Sequence, residues 1–175
     1  MLDFTGRCWV RSEYRIEVLE NQLRVGFSCG VEALDRYLLR QAGQDQRRHV
    51  AVVYLLMGGD QVSGYCTLAT TGVTADVLPE NMRKALPRYH VLPDAIIGRL
   101  AVDQRYRRRG LGALLLMDAL HRCLKTSEEM GFFAVMVDAK DDEARAFYEA
   151  FKFRRCLDDD RHLFRPISEI KRLFE

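Results

Sequence analysis

The segment Arg107-Arg108-Arg109-Gly110-Leu111-Gly112 places three arginines and two glycines where an expected strand gives way to an expected helix. Glycine lets the backbone come close to a ligand, and the unpaired N–H groups of a helix start attract anions. Arg105, Arg107, Arg108 and Arg109 add side-chain charge that matches phosphate oxygens. Together they suit a pyrophosphate. Two common loops of that kind are excluded. A P-loop ends in Gly-Lys-Ser/Thr, and a dinucleotide fingerprint needs a third glycine at the position held by Leu115. A plain glycine turn with solvated arginines has the same composition, so residue chemistry alone leaves both readings open.

Tyr148 is the second group of interest. A phenol, with an ordinary pKa of about 10, stays protonated at neutral pH and can hand its proton to a departing anion. Ala144, Phe147, Tyr148 and Phe151 also recur at helical spacing, so periodicity alone reads Tyr148 as core. No carboxylate base stands beside it in the sequence; Glu32 and Asp103 are the distant candidates. His49, His90, His121 and His162 lie far apart and form no ligand motif, so no metal is expected.

The chain has 175 residues with 27 Lys+Arg against 25 Asp+Glu. That near balance hides a lopsided distribution. Residues 83–109 hold eight basic side chains, Arg83, Lys84, Arg88, Arg99, Arg105, Arg107, Arg108 and Arg109, against only Asp94 and Asp103. Asp158-Asp159-Asp160 gathers negative charge elsewhere. A basic patch of this kind binds phosphates in a salt-dependent way. Arg83, Lys84 and Arg88 are hard to assign to a single pyrophosphate; with Arg47, Arg48 and Arg99 they are candidates for RNA contact. A solvated surface is the plainer reading for any one of them.

Composition excludes other classes. At 48% hydrophobic and 30% charged, the chain is an ordinary globular protein, not a disordered one. Its longest apolar run, Val50 to Met57, falls far short of the ~18 residues that suggest a membrane span. Cys8, Cys29, Cys66, Cys123 and Cys156 are odd in number and form no Cys-x-x-Cys pair, as expected of reduced thiols. Asp3, Arg7 and Arg11 leave no continuous apolar segment near the N-terminus, so no signal peptide is expected and a cytoplasmic location is read.

Elements must position these groups. Leu34, Leu38 and Leu39 predict a helix over residues 31–43 with Ser28 as a cap. A strand over 49–57, the turn Gly58-Gly59-Asp60 and a strand over 62–69 read as a hairpin. Pro79, Pro87 and Pro93 mark an irregular connection with a short helix over 80–85. Then come a strand over 95–102, the arginine loop, a helix over 111–130 stopped by Gly131, a strand over 132–137, a helix over 143–151 and a strand over 162–167. The expected class is mixed α/β around a central sheet.

The pattern Arg-x-x-Gly-x-Gly after a strand resembles motif A of the GNAT acetyltransferases, which binds the pyrophosphate of acetyl-CoA. Phe27-Ser28-Cys29-Gly30, Gln46-Arg47-Arg48, Gly64-Tyr65-Cys66-Thr67-Leu68, Gly98-Arg99-Leu100-Ala101-Val102-Asp103, Val137-Asp138-Ala139, Ala146-Phe147-Tyr148-Glu149 and Leu163-Phe164-Arg165-Pro166 extend the likeness. They resemble one subgroup, the TacT/AtaT-type GNAT toxins of toxin–antitoxin pairs, which acetylate aminoacyl-tRNA. The resemblance implies one domain over residues 1–175, with a mixed, mostly antiparallel central sheet flanked by helices. It implies that Leu100, Ala101 and Val102 hold the pantetheine of acetyl-CoA. Arg107, Arg108, Arg109, Gly110, Leu111, Gly112 and Ala113 would cradle its pyrophosphate, and Tyr148 would act as general acid. It also implies a homodimer and a ribbon–helix–helix antitoxin. Lys152 departs from the pattern, which has glycine in a Phe-Gly-Phe turn. Two other readings remain: acetylation of a protein N-terminus or a small amine, and a non-enzymatic acyl-CoA or RNA-binding module.

Overall fold

Alternation builds the first strand. In β1 (Tyr14–Val18) Tyr14 and Ile16 are buried while Arg15 faces solvent. The computed structural model describes residues 13–175; Cys8 and the other N-terminal residues discussed above lie outside that range. After β1 come α1 (Glu32–Arg36), a π-helical turn (Tyr37–Gln41) and α2 (Ala42–Arg47). The hairpin β2 (Val52–Gly58) and β3 (Gln61–Thr74) follows, then α3 (Glu80–Ala85), β4 (Val91–Val102) and α4 (Leu111–Glu129). The chain closes with β5 (Ala134–Asp138), α5 (Asp142–Ala150), β6 (Arg154–Arg155), β7 (His162–Pro166) and α6 (Ile167–Lys171).

The strands form one open sheet in the order β1-β2-β3-β4-β5-β7-β6. β1 with β2, β2 with β3, β5 with β7 and β6 with β7 pair antiparallel, and β4 with β5 pairs parallel. The expected architecture, a mostly antiparallel sheet with helices around it, is the one observed. The β2–β3 hairpin turns at Gly59-Asp60, with Gly59 in the left-handed region at φ +62°. A bulge follows, where the register steps from Leu56↔Gly64 to Met57↔Val62.

The structure falls into two compact units. One comprises residues up to Ala69 together with Gly98–Ala119, and its core gathers Phe27, Leu38, Val53, Leu55, Tyr65 and Ala101. The other comprises Thr70–Ile97 and Leu120–Glu175, with Val73, Leu78, Leu92, Met136 and Phe164 at its centre. No helix among the described residues is long and apolar enough to cross a membrane.

Several expected boundaries move for identifiable reasons. The first helical segment runs on to Arg47 past a π turn over Tyr37–Gln41, and Leu39, expected in its apolar stripe, is exposed. Ser28 is not its cap. Asp35 instead reaches back, accepting from the Cys29 N–H at 2.7 Å and the Ser28 hydroxyl at 3.0 Å. β4 starts four residues early, at Val91, and takes in Pro93, whose carbonyl accepts from Phe133 N–H at 2.8 Å. Next to it the buried Asp94 carboxylate accepts from the Ala134 N–H at 2.8 Å, substituting for a ladder carbonyl. Burial pushes the Asp94 carboxyl up to about 7, against the pull of backbone N–H groups of Ala134 and Val73. β1, β6 and α6 were not foreseen.

Candidate active site

The parallel ladder between β4 and β5 ends at Ile97↔Val137, and β4 runs on through Arg99, Leu100, Ala101 and Val102. The close packing around this stretch depends on Gly64 of β3. A Cβ added there would stand 2.8 Å from the Ala101 carbonyl oxygen and 2.9 Å from Leu115 Cδ1. No larger residue fits without moving backbone.

Asp103 follows β4 and organises what comes next. It is 1% exposed. Its carboxylate accepts from Arg105 N–H at 2.9 Å, from Arg105 Nε and Nη2 at 2.9 Å each, and from the Ser28 N–H at 3.1 Å. Burial alone would raise its pKa, but these bonds outweigh burial and hold the carboxyl below its ordinary range. Asp103 is thus committed to shaping the loop and is no base. Glu32, the other candidate base, has a side chain 92% exposed beside Arg36.

The arginine run divides by partner. Arg105 is clamped by Asp103, and Arg107 Nη2 donates to the Cys29 carbonyl at 2.5 Å. Arg109 lies over the Tyr106 ring, 5.4 Å from its centroid. Arg108 is exposed and left-handed at φ +60°, as is Gly110 at +76°. α4 then opens without its first bonds. Leu114 N–H donates to the Gly110 carbonyl at 3.1 Å, so the N–H groups of Leu111, Gly112 and Ala113 come before the first closed turn. A row of backbone donors at a helix start, with arginines in the loop just before it, suits an anion.

Tyr148 sits on α5 and is only 7% exposed, packed edge-on against Phe147 and Phe153 at centroid distances of 5.2 and 5.6 Å. Both ends of its helix are fixed. Asp141 caps the start by accepting from Ala144 N–H at 2.8 Å, and Lys140 beside it holds the Asp141 carboxyl below its ordinary range. At the other end, Lys152 N–H donates to Glu149 O at 2.9 Å and Phe153 N–H to Tyr148 O at 3.2 Å. This is a Schellman turn, with the Tyr148–Phe153 contact as its apolar clasp. Lys152 occupies the left-handed position at φ +62°, which explains why the pattern it departs from has glycine there.

The remaining basic candidates are distributed as follows. Arg47 and Arg48 are exposed at the end of α2, where the Gln46 side chain bonds to Leu19 O and Val53 N–H and so fixes the helix end. Arg83, Lys84 and Arg88 are exposed on and after α3, with Lys84 paired to Glu80 at 2.8 Å. Arg99 lies flat on Tyr37, with its guanidinium carbon 3.6 Å from the ring centroid. The sequence reading missed the Asp103 clamp and the Tyr37 platform, since neither pair is close in sequence.

Residues 90–164, from the residue before β4 to Phe164 of β7, match the family model described as Acetyltransferase (GNAT) domain. The tRNA-acetylating toxin of Mycobacterium tuberculosis (strain ATCC 25618 / H37Rv) is 33% identical over 147 residues, covering 84% of this chain and 87% of that protein. The chain belongs to the GNAT acetyltransferase family. Two solved structures carry the likeness into three dimensions. AtaT complexed with acetyl-methionyl-tRNAfMet superposes with a TM-score of 0.86 at 28% identity, over 93% of this chain and 99% of that one. A tyrosine-to-phenylalanine mutant of the toxin AtaT, bound to acetyl-CoA and the C-terminus of the antitoxin AtaR, gives 0.78 at 25% identity, over 93% and 98%. The residues matched by the family model contain the open start of α4 and Tyr148.

Proposed function

We propose that this chain transfers an acetyl group from acetyl-CoA to the α-amino group of an aminoacyl-tRNA, blocking that tRNA in translation, and that it is the toxin of a toxin–antitoxin pair. The observation that carries the reading is the open first turn of α4, in a chain similar over most of its length to a tRNA-acetylating toxin. Backbone groups of Leu100, Ala101 and Val102 hold the pantetheine like an added strand. The N–H groups of Gly110, Leu111, Gly112 and Ala113, together with the backbone of Arg107 and the side chains of Arg108 and Arg109, take the pyrophosphate.

The chemistry is a single acyl transfer. The amine nitrogen attacks the thioester carbonyl, the C–N bond forms, and a backbone N–H near Leu100 steadies the oxyanion. As the C–S bond breaks, Tyr148 gives its phenolic proton to the thiolate and recovers one from solvent. The nitrogen loses its extra proton to water. An α-amino group, with a pKa of about 8, is neutral often enough near pH 7 to attack unaided, whereas a lysine amine near 10.4 is not. With Asp103 committed to Arg105, that difference favours an α-amine acceptor.

Arg47, Arg48, Arg83, Lys84, Arg88 and Arg99 supply the contacts to tRNA phosphates in this reading. A homodimer, a ribbon–helix–helix antitoxin and a cytoplasmic location complete it. The test is direct. Purified protein with radiolabelled acetyl-CoA is expected to label charged tRNA, and Tyr148→Phe to suppress the label while retaining acetyl-CoA binding. Label on uncharged tRNA, or transfer to peptides that RNase treatment does not abolish, overturns the acceptor.

A further inference from the structure

Away from the acetyl-transfer residues, the turn between β6 and β7 gathers an unlike trio. Cys156, Asp158 and His162 each bring one donor atom to within 4.8 Å of the others. His162 Nδ1 lies 3.2 Å from Asp158 Oδ2, and its Nε2 lies 3.2 Å from Asp138 Oδ1 at the end of β5. Cys156 is 6% exposed and His162 half-buried.

Backbone bonds hold this arrangement. Cys156 N–H donates to His162 O at 2.8 Å, joining the two ends of the turn. His162 N–H donates to Asp159 O at 3.1 Å, and Arg161 N–H to Asp159 Oδ1 at 2.8 Å. Ala139 N–H donates to Arg161 O at 2.8 Å, which fixes the residue after Asp138 against the same turn.

We propose that this cluster binds one divalent transition-metal ion of the zinc type, through Cys156 Sγ, an Asp158 oxygen and His162 Nδ1, with water at the fourth position. A sulfur and an imidazole nitrogen select zinc and its neighbours over magnesium or calcium, which prefer oxygen alone. Bonds of about 2.0–2.3 Å put tetrahedral ligand atoms roughly 3.5 Å apart, so the trio needs to close by little more than about 1 Å. Asp158 and His162 already stand 3.2 Å apart, so what closure remains brings Cys156 Sγ toward that pair.

Asp138 is the second half of the design. A histidine that ligates a metal through one nitrogen characteristically donates its other N–H to a carboxylate, which fixes the tautomer and the ring plane. Asp138 stands at Nε2 in that role, leaving Nδ1 for the ion. The ion would tie the end of β5 to the β6–β7 turn, three residues ahead of the Asp141 cap of α5, and takes no part in the acyl transfer.

Cobalt(II) and zinc(II) titrated into the full-length, chelator-treated protein test the site. One ion per chain, a thiolate-to-cobalt charge-transfer band and a melting temperature raised by zinc are expected. Cys156→Ser is expected to remove the band and weaken zinc binding at least tenfold, and Asp138→Asn to weaken it by about tenfold while keeping the band. Circular dichroism without metal verifies that each variant folds, and the cobalt spectrum of the unaltered protein stands independently of both. Absence of a thiolate band, or zinc binding that Cys156→Ser leaves unchanged, means exposed carboxylates only and overturns the site.

Discussion

The starts of α4 and α5 solve the same problem in opposite ways. Every helix begins with backbone N–H groups that no turn of its own can satisfy. α5 satisfies one from within, through the Asp141 carboxylate on Ala144 N–H. At α4, no described side chain is bonded to the N–H groups of Leu111, Gly112 or Ala113, and two left-handed residues, Arg108 and Gly110, bend the backbone ahead of them. The helix that carries Tyr148 is therefore closed at both ends, while the helix proposed to hold the donor is left open. One holds Tyr148 still; the other leaves backbone donors open. Positive charge near a helix start means little until the local acceptors have been counted, which is why Arg105 and Arg107, both held by protein partners, contribute less than their position suggests.

The contrast is tested most strongly at its chemical end. Tyr148→Phe is expected to lower kcat for acetylation by about 10²- to 10⁴-fold with the KM for acetyl-CoA nearly unchanged, since the role proposed for Tyr148 is to give a proton and not to bind the donor. Steady-state kinetics on charged tRNA measure it. Gly112→Asp gives α4 an acidic group of the kind α5 already has. KM for acetyl-CoA is expected to rise roughly 100-fold while thermal stability holds or improves, because a carboxylate suits the helix dipole but repels a pyrophosphate.

Asp94 extends the comparison to a strand, as a buried counterpart of Asp141 that accepts from Ala134 N–H where β5 begins. Its carboxyl is raised to about 7 by burial. A raised folded pKa means that the native state keeps the proton longer than the unfolded chain does. The resulting stability is present below about pH 4 and is lost as pH rises through 7. Asp94→Asn is expected to match the parent protein in denaturant titrations near pH 4 and to exceed it by on the order of 2 kcal/mol at pH 8. A difference that does not change with pH would refute this. The smallest effect concerns the far end of α5. Lys152→Gly relieves a left-handed non-glycine residue and is expected to add about 1 kcal/mol of stability, read as a higher denaturation midpoint.

Much of this was legible from local pattern. The strand before the loop, the start of α4, α3 (Glu80–Ala85) and the position of Tyr148 all follow from periodicity and glycine placement. The alternating residues of β1 carried a readable signal that went unused, whereas a two-residue strand such as β6 has none. Pro93 misled: it has no N–H to give the ladder, but its carbonyl still accepts from Phe133 N–H, and the neighbouring Asp94 carboxylate takes the Ala134 N–H. Charge was the least legible property. Arg105 looked like a ligand group until Asp103 was found against it, and Arg99 had no known neighbour until the π turn brought Tyr37 beneath it. Such pairings depend on where the fold sends each side chain, and no spacing rule contains that.

The Asp103 clamp also limits how the arginine loop could be engineered. Its carboxylate joins Arg105 to the Ser28 N–H, and Arg107 returns to the Cys29 carbonyl. Gly30, left-handed at φ +84°, leaves room for this, since a Cβ there would lie 3.0 Å from Gln104 Nε2 and 3.2 Å from Arg107 Nη2. The loop is thus not a portable cassette. A graft of residues 103–113 onto another strand–helix junction would keep its glycines and arginines and lose its shape, unless the Ser28-Cys29-Gly30 turn travelled with it.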